Sequence, residues 1–207
     1  MLTIKLILFF LSFLIPGYIL VSLLLKDKYP NNLFRLGLGY GLGIYFITIQ
    51  IFIWIFLLNQ SFNYFWFTLL VVTENLVLIN FYLNKGVKRE SNVLQNIANT
   101  LKKLNIRENT ILLLILVQII FIFFNALARP VMTFDSLSMW SYKAKILFYE
   151  QSIELKNTEA VNYMGGGGKL NYPWNIPLIQ FWLHENLGAY NELAVNFIFL
   201  GFFLSTL

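Results

Sequence analysis

The sequence predicts an all-α polytopic membrane protein with about five transmembrane helices and one large extracytoplasmic loop bearing amphipathic helices. Three observations carry this. Hydrophobic residues make up 58% of the 207 and charged residues 12%, with a mean hydropathy of +0.66. Uncharged runs cover residues 6–25, 36–73 and 109–128, and about 20 consecutive apolar residues are enough for one helix to cross a hydrocarbon core. The basic residues are bunched in the short segments between these runs, where they set topology.

The first helix is expected near 4–25. Lys5 followed by an apolar run also fits a secretory signal, but no small-x-small cleavage site follows and Lys26-Asp27-Lys28 reads as a stop. A retained anchor is the preferred reading, with Pro16-Gly17 as a point of possible kinking. The 38-residue run 36–73 holds the second helix and begins the third, placed near 36–58 and 62–83. The second opens on Gly37, Gly39, Gly41 and Gly43. Glycines two apart fall on both sides of a helix, and no strand precedes them, so close helix packing explains them better than a phosphate cradle. Glu74 lies inside the third helix, where hydrogen bonding between helices is favoured over chemistry. The fourth helix is expected near 109–128 and the last near 190–207.

Loops 26–35 and 84–108 carry most of the basic residues, and two helices separate them, so they share a side. The positive-inside rule makes that side cytoplasmic. The N-terminus then faces outward, and residues 129–189 are extracytoplasmic in a multi-pass plasma-membrane protein. Within loop 84–108, residues 91–106 have the spacing of a short amphipathic helix lying on the inner leaflet. The net charge of +5 belongs to these loops and not to a nucleic-acid surface. With no cysteine and a single histidine, disulfides, thiol catalysis, cysteine-ligated metal and multi-histidine metal sites are excluded.

The outer segment holds the candidate chemistry. Asp135 heads the stretch 136–150, where Leu137, Trp140, Ala144 and Leu147 share one helical face. At about 100° per residue, Tyr142 falls nearly beneath Asp135, with Lys143 and Lys145 on either side. An acid above two ammonium groups at a bilayer surface suits a lipid-linked phosphate. The same acid is also a good helix N-cap, and interfacial lysines meet anionic headgroups without specificity. Gly165–Gly168 form a flexible tract. After it, Pro177 opens a helix that Gly188 ends. Tyr172, Trp174 and His184 are the remaining candidate substrate contacts. His184-Glu185 lacks the second histidine of a zinc-protease motif, and His184 reads as an interfacial polar residue.

A membrane helix, an aspartate opening a large outer loop, an aromatic-lysine helix, then Tyr172-Pro173, Pro177-Leu178, Phe181-Trp182-Leu183, Leu187-Gly188 and an acid before the next helix resembles the GT-C superfamily of membrane glycosyltransferases. Within it, residues 109–207 are most similar to the protein O-mannosyltransferase and bacterial lipid A aminoarabinose transferase group. The resemblance implies two regions: 1–108, a three-helix N-terminal extension, and 109–207, the start of a catalytic membrane domain. It implies transfer of a sugar from a polyprenyl-phosphate donor to a lipid, glycan or protein acceptor outside the cytoplasm. Asp135 would be the catalytic base or acceptor-site acid, and the lysines would balance donor phosphate charge. Two departures stand out: Ser136 follows Asp135 where the family often pairs acids, and Asn196 stands where an arginine usually begins the next helix. No cofactor is identified in the residues, though the resemblance leaves room for a divalent metal. Only 14 residues run from Ala194 to Leu207, fewer than a crossing needs, so further helices beyond Leu207 are expected.

The rival readings are a non-enzymatic membrane protein, such as a transporter subunit or assembly factor, and a polysaccharide polymerase or ligase. A transporter places its polar residues near the bilayer midplane, where here only Glu74 and its neighbours lie. A polysaccharide polymerase or ligase would be expected to carry more arginine and histidine than the Arg129 and His184 of this outer segment.

The topology gives the first prediction. In this cysteine-free chain, Asn157→Cys should react with an impermeant thiol reagent on intact cells, and Asn92→Cys only after permeabilisation. The opposite labelling pattern would overturn the orientation.

Overall fold

A computed structural model describes residues 2–25, 32–85, 105–129, 140–152 and 173–207. Among these, seven α-helices and no strand are present. Helix α1 (Leu2–Leu25) runs through Pro16 without a break. Helix α2 (Asn32–Phe52) continues as a π-helical turn over Ile53–Leu57. Helices α3 (Tyr64–Asn84) and α4 (Ile106–Ala128) follow, then the short α5 (Tyr142–Glu150), α6 (Asn175–Leu187) and α7 (Glu192–Thr206). Four segments are long and apolar enough to cross a membrane: Thr3–Leu25, Asn32–Leu57, Tyr64–Asn84 and Ile106–Ala126. The 15-residue α7 spans roughly 22 Å at 1.5 Å per residue, short of a core about 30 Å thick.

Asparagines start three of the helices. Asn63 accepts the Trp66 N–H at 3.2 Å, and Asn191 accepts the Ala194 N–H at 3.1 Å. Asn105 and Glu108 form a reciprocal capping box, with Asn105 Oδ1 accepting at 3.0 Å and Glu108 Oε2 accepting at 2.8 Å. Each satisfies N–H groups that the first turn cannot pair internally. The box starts α4 three residues before the uncharged run, so a charged first turn, Arg107 and Glu108, belongs to the helix.

Helices α1 and α2 pack antiparallel at backbone contact. A Cβ at Gly43 would collide with the Phe13 carbonyl, and one at Gly17 with the Gly39 carbonyl. Gly37 faces Ser205 of α7, while nothing lies within 4 Å of a Cβ at Gly41. Only Gly-sized residues permit this approach, which gains dispersion contact where lipid supplies no hydrophobic drive. Tyr40 then reaches α7, its hydroxyl donating to the Ile198 carbonyl at 2.7 Å and its ring meeting Phe13 and Phe202 edge-on. Glu74 accepts from Gln50 Nε2 at 2.9 Å, the interhelical bond its position predicts. Helix α4 packs on α7 through Phe123 and Phe197 and otherwise exposes apolar side chains.

The helix ends sort into two groups. Tyr18 meets Asn32 and Tyr82 at one end, joining the α1 C-terminus, the α2 N-terminus and the α3 C-terminus. At the other end, Lys5 Nζ donates to the Leu187 carbonyl at 2.6 Å, and the Phe62 N–H donates to the Gln151 carbonyl at 2.6 Å. Helices α5 and α6 therefore gather at the α1 N-terminal end, opposite the ends that lead into loops 26–35 and 84–108.

Helix α6 is enclosed by other helices. Ten of its residues are buried. Trp182 Nε1 donates to Ser12 Oγ at 2.9 Å, and Ser12 Oγ donates to the Phe9 carbonyl at 2.6 Å. Ser12 sits nine residues into the first span, roughly 14 Å along it. A helix apolar on nearly every side has no face to give to water, so it inserts among the spanning helices.

Close packing at Gly43 yields a prediction. Gly43→Leu should lower stability in detergent by about 1–3 kcal/mol, the cost of overpacking, while Gly41→Leu should be silent. Thermal unfolding of the two variants would check this, and equal loss in both would remove the α1–α2 contact as the cause.

Candidate functional site

Asp135 and Tyr172 lie outside the described residues, as do Leu137, the glycine tract and the 91–104 part of the cytoplasmic amphipathic segment. Tyr142, Lys143, Lys145, Trp174 and His184 are described, and the structure gathers them around α6. Helix α5 lies along α6, with Phe148 against His184 at 6.0 Å between ring centres. Ala144 and Leu147 are buried, as their shared face requires, and Tyr142 is half-buried.

The two lysines do different things. Lys143 is 3% exposed, and its Nζ lies 4.5 Å from the centre of the Trp174 ring. Lys145 is exposed, and its Nζ lies 5.2 Å from the Tyr190 ring. Trp174 precedes α6 and Tyr190 follows it. Residues two apart point to opposite sides of a helix, so the lysines of α5 reach the aromatic rings at both ends of α6. Cation–π contacts of this kind contribute about 0.5–2 kcal/mol, more when desolvated. The pair of ammonium groups expected to converge on one phosphate is thus divided between two rings. Burial holds the Lys143 ammonium below its ordinary pKa.

His184 is a correction to the interfacial reading. It is 0% exposed, with its ring 4.4 Å from that of Tyr190. Nδ1 faces the turn after α6, accepting the Asn191 N–H at 3.3 Å, while Nε2 has no hydrogen-bond partner among the described residues. The reason is the left-handed turn at Gly188, φ 68°, which folds residues 189–191 back over the helix end. Burial lowers the His184 pKa to about 4 from 6.5, opposed by the Ala189 backbone. Its neighbour Glu185 accepts from Gln151 Nε2 at 2.6 Å and is raised by burial, which outweighs that bond. Tyr190 is pushed up to about 12 by burial and by Glu192.

Several supporting residues were not legible in the sequence. Phe56, on the π-helical turn, meets Trp174 at 4.8 Å. Tyr64 donates to Asn186 Oδ1 at 3.4 Å. Asn196, where an arginine was expected, donates to the Ala126 and Arg129 carbonyls at 3.1 and 2.7 Å and so caps α4 from α7. The lone charge of Lys5 ahead of an apolar run was the one available signal for its bond to Leu187. No group of three or more metal-ligating side chains occurs among the described residues. Comparison with family models, with curated proteins and with solved structures finds nothing that matches this chain.

Two adjacent titratable groups predict opposing pH effects. The folded state holds His184 neutral, so its contribution is complete above pH 6.5 and is lost as pH falls from 6.5 toward about 4. Glu185, raised in the fold, favours the folded state at acid pH and loses that contribution as pH rises through its folded value. His184→Gln should therefore flatten the acid-side fall in unfolding temperature, and Glu185→Gln should steepen it. An unchanged profile in His184→Gln would show that this histidine is not the group responsible.

Proposed function

We propose that this chain is part of a membrane glycosyltransferase that takes a sugar from a polyprenyl-phosphate donor and transfers it to an acceptor outside the cytoplasm. The observation that carries the reading is the order of features from 128 onward. An aspartate follows a membrane helix, then come an aromatic-lysine helix and the Tyr-Pro…Pro-Leu…Phe-Trp-Leu…Leu-Gly stretch. The gathering of α5 and α6 at one end of the bundle, away from the ends joined by basic loops, is consistent with a site at the outer membrane surface. In this reading, residues 1–108 are an N-terminal three-helix region and 109–207 begin the catalytic domain. Helix α7 is read as a fifth membrane helix, and 129–189 are extracytoplasmic.

Asp135 is assigned the role of general base. It must take the acceptor proton while remaining ionised at working pH, which an aspartate at a wet interface does. The acceptor oxygen forms its bond to the anomeric carbon as the bond to the donor phosphate breaks, with inversion. Lys143 supplies positive charge near the leaving phosphate, where a low dielectric strengthens its effect.

A second reading, a non-enzymatic membrane assembly protein, draws support from the two lysines, each of which already grips an aromatic ring of the α6 ends. One set of variants separates the two. Asparagine caps helices about as well as aspartate, so a purely structural Asp135 would tolerate Asp135→Asn. A general base would not, and its loss costs roughly 10²–10⁴-fold. Asp135→Asn should abolish sugar transfer in membranes while preserving expression and insertion, and Lys143→Ala should weaken donor use. Normal transfer by Asp135→Asn, with Lys143→Ala merely less stable, would favour the assembly reading.

A further inference from the structure

Helix α4 stands apart from the other spans. No residue of Ile106–Ala126 is buried, whereas α1, α2 and α3 all bury side chains of their own. Its contact with α7 runs through the Phe123 ring and the Ala126 carbonyl. The stripe Ile111, Leu114, Gln118, Phe121 and Asn125 turns away from that contact, with Phe121 about 200° around the helix from Phe123. Ile111, Leu114 and Phe121 are 58%, 64% and 65% exposed. Alternating steps of three and four residues are the spacing of a heptad seam between two helices. Gln118 is the thirteenth of the 21 residues in the span Ile106–Ala126, which puts its amide near mid-bilayer. It is exposed and has no hydrogen-bond partner among the described residues. Hydrocarbon supplies neither donor nor acceptor, so an amide left unpaired there is costly. Asn125, one heptad further on, already donates to the Phe121 carbonyl at 2.9 Å. Gln118 has no such local bond.

We propose that this seam is a self-association surface, on which Gln118 hydrogen-bonds to the same residue of a second copy in a parallel, two-fold dimer. Symmetry selects the occupant. Two copies inserted in one orientation are related by an axis along the membrane normal, so every residue on that axis meets its own equivalent at equal depth. An amide is self-complementary there, because its nitrogen donates and its oxygen accepts. A carboxylate is not. The other polar residue at this depth, Glu74 of α3, would meet a like charge and already accepts from Gln50. Interhelical bonds of this type hold helices together in lipid, where apolar surface gives no drive to associate. Ile111, Leu114 and Phe121 supply the packing around the pair, with the shallow left-handed crossing that a 3.5-residue repeat imposes. A single polar residue in such a seam also fixes its register. Arg107 ends the stripe at the water boundary, where its long side chain is able to turn outward. The surface lies on α4 alone, so the dimer requires nothing of the enzyme reading.

The test uses the full 207-residue chain in phosphatidylcholine vesicles, with dyes at Asn92→Cys and energy transfer followed as the chain is diluted in lipid. Gln118→Leu should raise the dissociation constant roughly tenfold, the worth of one interhelical amide bond in a bilayer. Gln118→Asn, which keeps an amide, should stay closer to the parent chain. Thermal unfolding of Gln118→Leu in detergent at monomeric concentration should be unchanged, because no described side chain touches the amide. Cross-linking gives the geometry, since the chain has no cysteine of its own. With copper phenanthroline as oxidant, Leu114→Cys and Phe121→Cys should each give a disulfide dimer. Ile120→Cys should not, although Ile120 is 67% exposed, because it lies about 200° from Gln118. Four results would overturn the proposal. One is equal association by Gln118→Leu, and another is equal cross-linking at Ile120→Cys. A third is a ladder of species larger than a dimer, the mark of a head-to-tail contact. The last is association in native membranes that disappears for the purified chain, which would assign the seam to a different protein.

Discussion

The insertion of α6 into the end of the bundle is the constraint on which the rest of this structure depends. Its apolar residues point in nearly all directions, so it can be stable only where side chains from several helices surround it. Once enclosed, its polar groups need partners from the protein, because unsatisfied groups in a dry interior cost several kcal/mol. Ser12 meets the Trp182 indole, Lys5 meets the Leu187 carbonyl, and Gln151 meets Glu185. Two of these partners lie on α1 and the third follows α5, and together they hold α6 in register.

The glycine contact between α1 and α2 makes that insertion possible. With backbones touching at Gly17, Gly39 and Gly43, Tyr40 extends to α7 and Phe13 fills the space beside it. The π-helical turn and the 58–63 connection then carry Phe56, Phe62 and Phe67 over α6, where Phe62 meets Phe181 at 4.7 Å and Phe67 meets Trp182 at 5.1 Å. At this junction large rigid rings fill irregular space at low entropic cost.

This arrangement gives the lysines of α5 a double character. They hold α6 at both ends through Trp174 and Tyr190, and in the proposed function Lys143 is also assigned to the donor phosphate. Structural grip and phosphate neutralisation are compatible, since a cation over a ring keeps its charge and remains attracted to an anion. His184 adds a limit on pH, because its burial beneath Tyr190 is sustainable only while the imidazole is neutral.

What the sequence by itself determined is what depends on local composition. Apolar run length placed α1, α2, α3 and α4 to within a few residues. Glycine spacing announced a close helix contact, and Pro177 and Gly188 bracketed α6. Helical spacing put Lys143 and Lys145 on either side of the helix, but did not specify the separate rings on which each of them ends. The tertiary structure decided what depends on partners distant in the chain. That α6 is enclosed, that His184 is buried, and that Asn196 caps α4 each require contact between residues tens of positions apart. Helical periodicity specifies which face a side chain occupies, but only the packing of other helices decides what that face meets.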